Sequence, residues 1–446
     1  MTERTARSSA LYLLERIEKE KAFANLALSS YLARSPLDAR DRAFCTELVY
    51  GTLRMSARLD YILAQLLKRP LAILPHRIHT LLRLSVYQLE FLKSIPPYAV
   101  VNEAVTLAGR GGAGVMSGLV NGVLRGFLRQ RSLLSLPNRD DMLGYLTITL
   151  SHPRWLAERW LGRWGAERAA AVAEADNAPA EIVLRTNTLR IARDELLAKL
   201  SAAGIEAKAS ALTPEGIRLH RGGAPEELPG FEEGLFFLQD DGAICIGHLV
   251  NPKAGECILD LCAAPGGKTT HLAALSGDQA RITALDIHGH KVELIRANCR
   301  RLGVTCVRAE AGDGRAFLSD ELFDAVLLDT PCSGTGVLRR RADLRWRRKP
   351  EDLAELVILQ RSLLENAARL LKPGGRLIYS TCSLESEENE EQMAWFLETH
   401  PTFRATDVQT YLGGRLPRTG ESLRGVYLWP PLFGTDGFFF CRLEKQ

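Results

Sequence analysis

Long apolar runs are missing from this 446-residue chain. None approaches the roughly 20 residues that span a bilayer, so no membrane-crossing helix is expected. The opening Met1-Thr2-Glu3-Arg4 lacks the basic-then-apolar order of a secretory signal, and a cytoplasmic location is the expectation. Cysteine pairs at CxxC spacing are missing as well. The nine cysteines are scattered, and none stands in a Cys/His group at metal-ligand spacing. That argues against a disulfide framework and against a bound metal, and most of these thiols read as small core residues.

Charge of one sign is also absent overall, since the formal net charge is only +4. The balance hides an asymmetry. Residues 1–139 hold 20 Lys/Arg against 10 Asp/Glu, and the remainder holds 37 against 43. A basic lobe joined to an acidic one points to a polyanionic partner for the first. A hydrophobic content of 46% with 25% charged residues is the profile of a soluble globular protein, and the length implies two or three domains.

Residues 1–130 read as helices throughout. Ala10-Leu11, Leu13-Leu14 and Ile17 repeat with a helical period, as do Leu81-Leu82, Leu84, Val86 and Leu89. Breaks fall at Pro36, Pro70, Pro75 and Pro96-Pro97. The glycine-rich Gly109–Gly114 has no strand before it and no GK[ST] after it, and reads as a helix connection. Strands at Glu181–Asn187 and Ile217–His220, with a helix at Arg193–Ala203, predict a small α+β module. Beyond about residue 236 strands and helices alternate. Strands are expected at Cys257–Leu261, Arg281–Asp286, Val304–Ala309, Phe323–Asp329 and Arg376–Ser380, with a long helix at Leu353–Leu371. The expected chain is therefore multidomain: an all-α helical bundle over 1–140, an α+β module over 141–235 and a doubly wound, Rossmann-like α/β domain over 236–446.

Ligands of such sheets bind at the carboxyl ends of the strands. The first strand ends in Asp260-Leu-Cys262-Ala263-Ala264-Pro265-Gly266-Gly267-Lys268-Thr269. Glycines let backbone approach a ligand, and the following helix start presents N–H groups. That turn has neither GxxxxGK[ST] nor GxGxxG spacing, which counts against nucleotide phosphates. Asp286 ends the second strand, where an acid can accept from ribose hydroxyls. Asp313 follows the third strand, toward the adenine side. Three acids and a glycine turn suit a nucleoside with a cationic sulfonium and no phosphates, so S-adenosylmethionine is the expected cofactor.

The fourth strand ends in Asp329-Thr-Pro-Cys332-Ser-Gly and the fifth in Ser380-Thr-Cys382-Ser. Each delivers a cysteine to the cofactor edge. Amine methyltransferases place an aromatic after the proline of the fourth-strand motif; here Cys332 follows it, which favours methylation at carbon. Carbon 5 of cytosine is a poor nucleophile. A thiolate adding at carbon 6 makes the ring electron-rich enough to attack a methyl sulfonium. Asp329 is placed to stabilise that adduct. Either sulfur fits the role on chemistry alone, and the Pro331-Cys332 dipeptide resembles that of DNA cytosine methyltransferases.

These motifs resemble the NOL1/NOP2/Sun family of RNA cytosine-5 methyltransferases. The resemblance implies that Cys382 is the nucleophile and that Cys332 helps release product. It also implies that residues 262–268, Asp286, Asp313 and Asp329 contact S-adenosylmethionine. Thr330 departs from the family's usual alanine. Glu47–Arg54, Ala99–Val105 and Val120–Arg125 resemble a NusB-type RNA-binding bundle, and Ser151–Trp155 with Leu184–Asn187 resemble the family's small domain. A 16S ribosomal RNA substrate and a monomeric enzyme are the implied expectations. Transfer RNA, 23S ribosomal RNA, or a non-catalytic role in assembly are the alternatives.

Two further readings come from the residues. Leu338–Lys349 carries seven basic residues and Trp346, and directly follows the fourth-strand motif; it is expected to contact RNA. His248, His271, His288 and His290 read as surface or core residues.

Overall fold

The computed structural model describes residues 5–110, 116–220, 225–415 and 425–446. The expected connection at Gly109–Gly114 lies mostly outside them. The chain forms two compact units, Met1–Ala178 with Leu338–Arg348, and Pro179–Val337 with Lys349–Gln446. No helix among the described residues is long and apolar enough to cross a membrane.

The first unit is helical. Its opening helix, Ala6–Lys19, starts where the Thr5 side chain accepts from the backbone of Ser8 and Ser8 reciprocates, which satisfies two otherwise orphaned N–H groups. The periodic residues Ala10, Leu11, Leu13, Leu14 and Ile17 are all buried. They join Leu48, Leu81, Leu82, Leu124 and Phe127 in one core. Pro75 and Pro96 precede the helices His76–Phe91 and Pro97–Gly109, where a missing N–H costs nothing. The helical run Arg154–Asn177 is interrupted at Gly165, whose φ of +76° an L side chain would resist.

The surprise of this unit is Leu338–Arg348. Its middle is lodged among the helices, while Arg341, Trp346 and Lys349 of the expected RNA-contacting run are exposed. Arg345 is 1% exposed. Its guanidinium donates to the carbonyls of Arg54 at 3.1 Å and Ser151 at 3.0 Å, and to Asn177 Oδ1 at 3.0 Å. Burial lowers its pKa to about 10, against the opposing pull of Asp176. Trp346 Nε1 donates to Leu53 O at 2.7 Å, and Asp343 Oδ2 accepts from Ala24 N at 3.2 Å. Arg347 lies over the Phe23 ring at 4.5 Å. Of the seven basic side chains, Arg339 and Arg345 are buried, while Arg341 and Lys349 face solvent.

The second unit has two sheets. In the smaller, β1 (Ile182–Thr186), β2 (Ala207–Ala209), β3 (Gly216–Leu219) and β4 (Phe236–Leu238) pair antiparallel in the order β2-β3-β1-β4. The helix Arg193–Ala202 buries Leu196 and Leu200 against Leu184, Ile217 and Phe236.

The larger sheet holds β5 (Cys257–Asp260), β6 (Arg281–Asp286), β7 (Val307–Ala311), β8 (Phe323–Asp329), β9 (Leu371–Thr381), β10 (Phe403–Ala405), β11 (Val426–Leu428) and β12 (Phe438–Lys445). Its order is β10-β12-β9-β8-β5-β6-β7, with β11 on β12. β5 to β9 are parallel, and β12 runs antiparallel beside β9. The chain walks outward from β5 through β7, then returns to β8 on the other side of β5. The connections diverge there, at the carboxyl ends of β5 and β8, where sheets of this kind bind their ligands.

Candidate active site

Strand register brings the acid and the two cysteines together. Asp329 pairs with Ser380 across β8 and β9. Cys332 lies three residues past Asp329, and Cys382 two past Ser380. Their Sγ atoms meet at 3.2 Å. The two following loops are tied at the backbone, with Gly336 N donating to Cys382 O at 2.9 Å and Gly437 N to Gly336 O at 2.7 Å. This close approach demands a glycine: a Cβ on Gly336 would stand 2.2 Å from Gly437 O. Thr330 uses its backbone N–H to hold Ser380 O at 3.0 Å, a bond indifferent to its side chain.

Cys332 is driven well above its ordinary pKa, first by the hydrogen bond to Cys382, then by burial and the nearby charges of Glu388 and Asp329. Either sulfur can be the donor in this contact, and the Cys332 thiol is held in its protonated form. Asp329 is fixed on both oxygens: Ser380 Oγ donates to Oδ1 at 2.7 Å and Lys268 Nζ to Oδ2 at 2.5 Å. Burial pulls the Lys268 pKa down, but the Asp329 charge and hydrogen bond raise it further, so the ammonium stays charged. Lys268 therefore links the glycine turn to the reacting edge.

The turn itself is tightly built. Ala263 N donates to Leu285 O at 2.8 Å, and Gly266 N to Ala263 O at 2.7 Å. Gly266 has φ +95° and packs on Ile295, whose Cα would lie 3.2 Å from an added Cβ. Cys262, Ala264 and Pro265 complete the curve, and Gly267 opens the helix Gly267–Leu275. Burial pushes the Cys262 thiol far up, so it stays protonated. Asp260 is fully buried, its Oδ2 held by Thr269 Oγ1 at 2.7 Å. Its Oδ1 has no hydrogen-bond partner among the described residues. Burial pushes this carboxyl up to about 7. An unanswered buried carboxylate oxygen beside a glycine turn suits a cationic ligand, and the residues fit S-adenosylmethionine on that ground. Asp286 Oδ1 accepts from His288 N at 3.0 Å, with Lys291 at 3.8 Å. Asp313 bonds to Arg315 through both oxygens rather than to any residue of the turn.

Comparison with known proteins identifies the family. The chain matches the model for 16S rRNA methyltransferase RsmB/F over residues 247–444, the NusB family over 4–129 and an RsmF/B-like ferredoxin-like domain over 152–225. The Bacillus subtilis protein named "Probable ribosomal RNA small subunit methyltransferase B" is 38% identical, with 100% of both chains covered. The chain belongs to the ribosomal RNA small subunit methyltransferase B family. A second relative of that name, from Sodalis glossinidius, is 40% identical over 93% of this chain and 92% of its own. Among solved structures, PH0851 shares 27% identity with a TM-score of 0.82 and full coverage of both chains. The family uses S-adenosylmethionine and has the three parts expected, a NusB helical domain, a ferredoxin-like module and a methyltransferase domain with a mixed sheet.

Sequence reasoning overlooked three groups. Ser380 was quoted only as part of a motif, yet it orients Asp329. Glu388 lies in the acid-rich Glu385–Glu391, on which no expectation was placed, and is fully buried between the cysteine loops. Glu215 joins two of the histidines. His248 Nε2 stands 2.9 Å and His271 Nε2 2.5 Å from its Oε1. Burial lowers His271 to about 4, with Arg185 adding to the effect, so its ring is neutral. Three separate elements supply this cluster, so no spacing in the sequence reveals it. His288 and His290 are exposed.

Proposed function

We propose that this chain transfers a methyl group to carbon 5 of a cytosine in 16S ribosomal RNA through a temporary bond between Cys382 and carbon 6. The observation that supports it is the 3.2 Å contact of two sulfurs from adjacent strands, with Asp329 pinned beside them. A single thiol would suffice to form an adduct. A second, protonated thiol in contact with it supplies the means to undo one.

In this reading the Cys382 sulfur, as thiolate, adds to carbon 6 and forms a C–S bond. Asp329, held by Ser380 and Lys268, faces the polar edge of the pyrimidine, where it accepts from the exocyclic amine and from an N3 that takes a proton from water as electron density arrives there. Bound S-adenosylmethionine supplies an electrophilic methyl group; the turn Cys262–Lys268 with Asp260, Asp286 and Asp313 would hold it. Once carbon 5 carries the methyl group, its proton passes to water, the electron pair left behind re-forms the C5–C6 double bond, and the C–S bond breaks with its electrons on the Cys382 sulfur. Cys332 then acts at release, donating its S–H to the departing Cys382 sulfur as that sulfur regains negative charge. The basic helical lobe suits an RNA partner by its charge.

The test uses full-length protein, labelled S-adenosylmethionine and 16S ribosomal RNA transcript. Nucleoside analysis should show 5-methylcytidine. C382A should give neither product nor adduct, and C332A should accumulate a covalent protein–RNA complex stable to denaturation. Methyl appearing on an exocyclic amine, or an adduct trapped by C382A, would refute the scheme.

A further inference from the structure

Resting on that thiol chemistry, we infer that Glu388 is the positioning residue that holds the two sulfurs in register. Its side chain is 0% exposed and gathers four donors. Oε1 accepts from Ser333 N at 2.8 Å and from Gln360 Nε2 at 2.9 Å. Oε2 accepts from the hydroxyls of Ser333 and Ser383, each at 2.5 Å. These serines directly follow Cys332 and Cys382, and their own hydroxyls lie 3.0 Å apart. Gln360 Nε2 also donates to Pro331 O at 3.0 Å, so residues on both sides of Cys332 are tied to one carboxylate, directly or through one side chain. The acid is itself anchored, because Tyr379 OH donates to its backbone carbonyl at 2.6 Å.

A buried carboxylate is a costly way to join two loops. Apolar residues of similar volume often give equal or greater stability. What a carboxylate adds is short, directional, charge-assisted bonding from two oxygens at fixed separation. Here that fork grips the residue after each cysteine, which a greasy contact would leave free to slide. After the contact with Cys382 and burial, the same charge adds to the upward push on the Cys332 thiol. Glu388 touches neither sulfur in any hydrogen bond described; it acts through Ser333 and Ser383.

The experiment compares full-length wild type with E388Q, which keeps the shape but replaces an acceptor with a donor. A melting curve and S-adenosylmethionine binding confirm the fold. Expected results are a kcat at least tenfold lower, a KM for S-adenosylmethionine within twofold, and an alkaline limb of the kcat profile moved to lower pH as Cys332 ionises more easily. A readout independent of catalysis is disulfide formation between Cys332 and Cys382 driven by diamide. There two thiols lose two protons and two electrons to the azo group, which becomes a hydrazine. Cross-linking should slow at least fivefold in E388Q. S383A, which removes one link and keeps the charge, should slow it at least twofold and serves if E388Q does not fold. Cross-linking and kcat within twofold of wild type would overturn the assignment. Activity surviving in C382A would instead sink the covalent chemistry, while the cross-linking rate still judges Glu388 alone.

Discussion

Replacing Arg345 with alanine separates two readings of the basic run after the fourth-strand motif. As an RNA contact, the side chain would be dispensable for folding, and its loss would weaken RNA binding in a salt-dependent way. As a core residue it must be expensive to lose. Its guanidinium satisfies three acceptors within 3.1 Å, and it faces Asp176, which is fully buried and raised to about 7 by that burial. Removing one partner of a buried charged group costs about 3–5 kcal/mol, because the remaining polar atoms stay desolvated without compensation. For a unit of this size, each kcal/mol moves the melting midpoint by about 2–4 °C. R345A should therefore lower the midpoint of the helical unit by roughly 6–20 °C, measured by calorimetry on the full chain. R341A, on a solvent-facing position, should stay within about 0.5 kcal/mol of wild type. An R345A protein that melts within 1 °C of wild type and only binds RNA more weakly would refute the burial argument.

Two other perturbations bear on the active site. Burial raises Asp260 to about 7, so the acid is mostly protonated at pH 6 and mostly charged at pH 8. A cationic ligand prefers the charged form, so S-adenosylmethionine affinity measured by calorimetry should rise about tenfold across that interval, following the protonated fraction lost; a flat profile would exclude Asp260 as its partner. G336A drives a Cβ to 2.2 Å from Gly437 O and 2.9 Å from Cys382 O, both backbone atoms. It should cost about 1–3 kcal/mol and at least tenfold in methyl transfer, with cofactor affinity retained; wild-type turnover in this variant would show that the loops need not touch.

The parts of the fold that could be read from the sequence are those whose signals are local. Arg281–Asp286 and Phe323–Asp329 are bounded by turn residues and rich in apolar side chains, and both strands fall where expected. The meeting of the two cysteines was legible because each sits just past a strand end, and parallel strands place such positions on one edge. The terminal β12 escaped, although Phe438-Phe-Phe-Cys-Arg-Leu is apolar enough, because nothing local says that it inserts antiparallel between β9 and β10. Arg345 and Glu388 escaped for a common reason. A charged residue in a charged run looks the same whether it is solvated or fully bonded inside the protein. Only the arrival of partners from distant parts of the chain, Ser151 and Asn177 for one and Ser333 and Gln360 for the other, tells the two apart.

Leu338–Arg348 leaves the catalytic unit, is claimed by the helical one, and returns within eleven residues. The helical unit is consequently not a removable prefix. Cutting the chain between Ala178 and Pro179 would sever one crossing while the later segment stayed threaded among the helices, so the fragments should elute together from a sizing column. A truncated catalytic fragment beginning at Pro179 would carry that threaded stretch bare, with Leu338, Ala342 and Arg345 all deprived of their wrapping. Attempts to shorten this protein should therefore excise or redesign those eleven residues along with the helices.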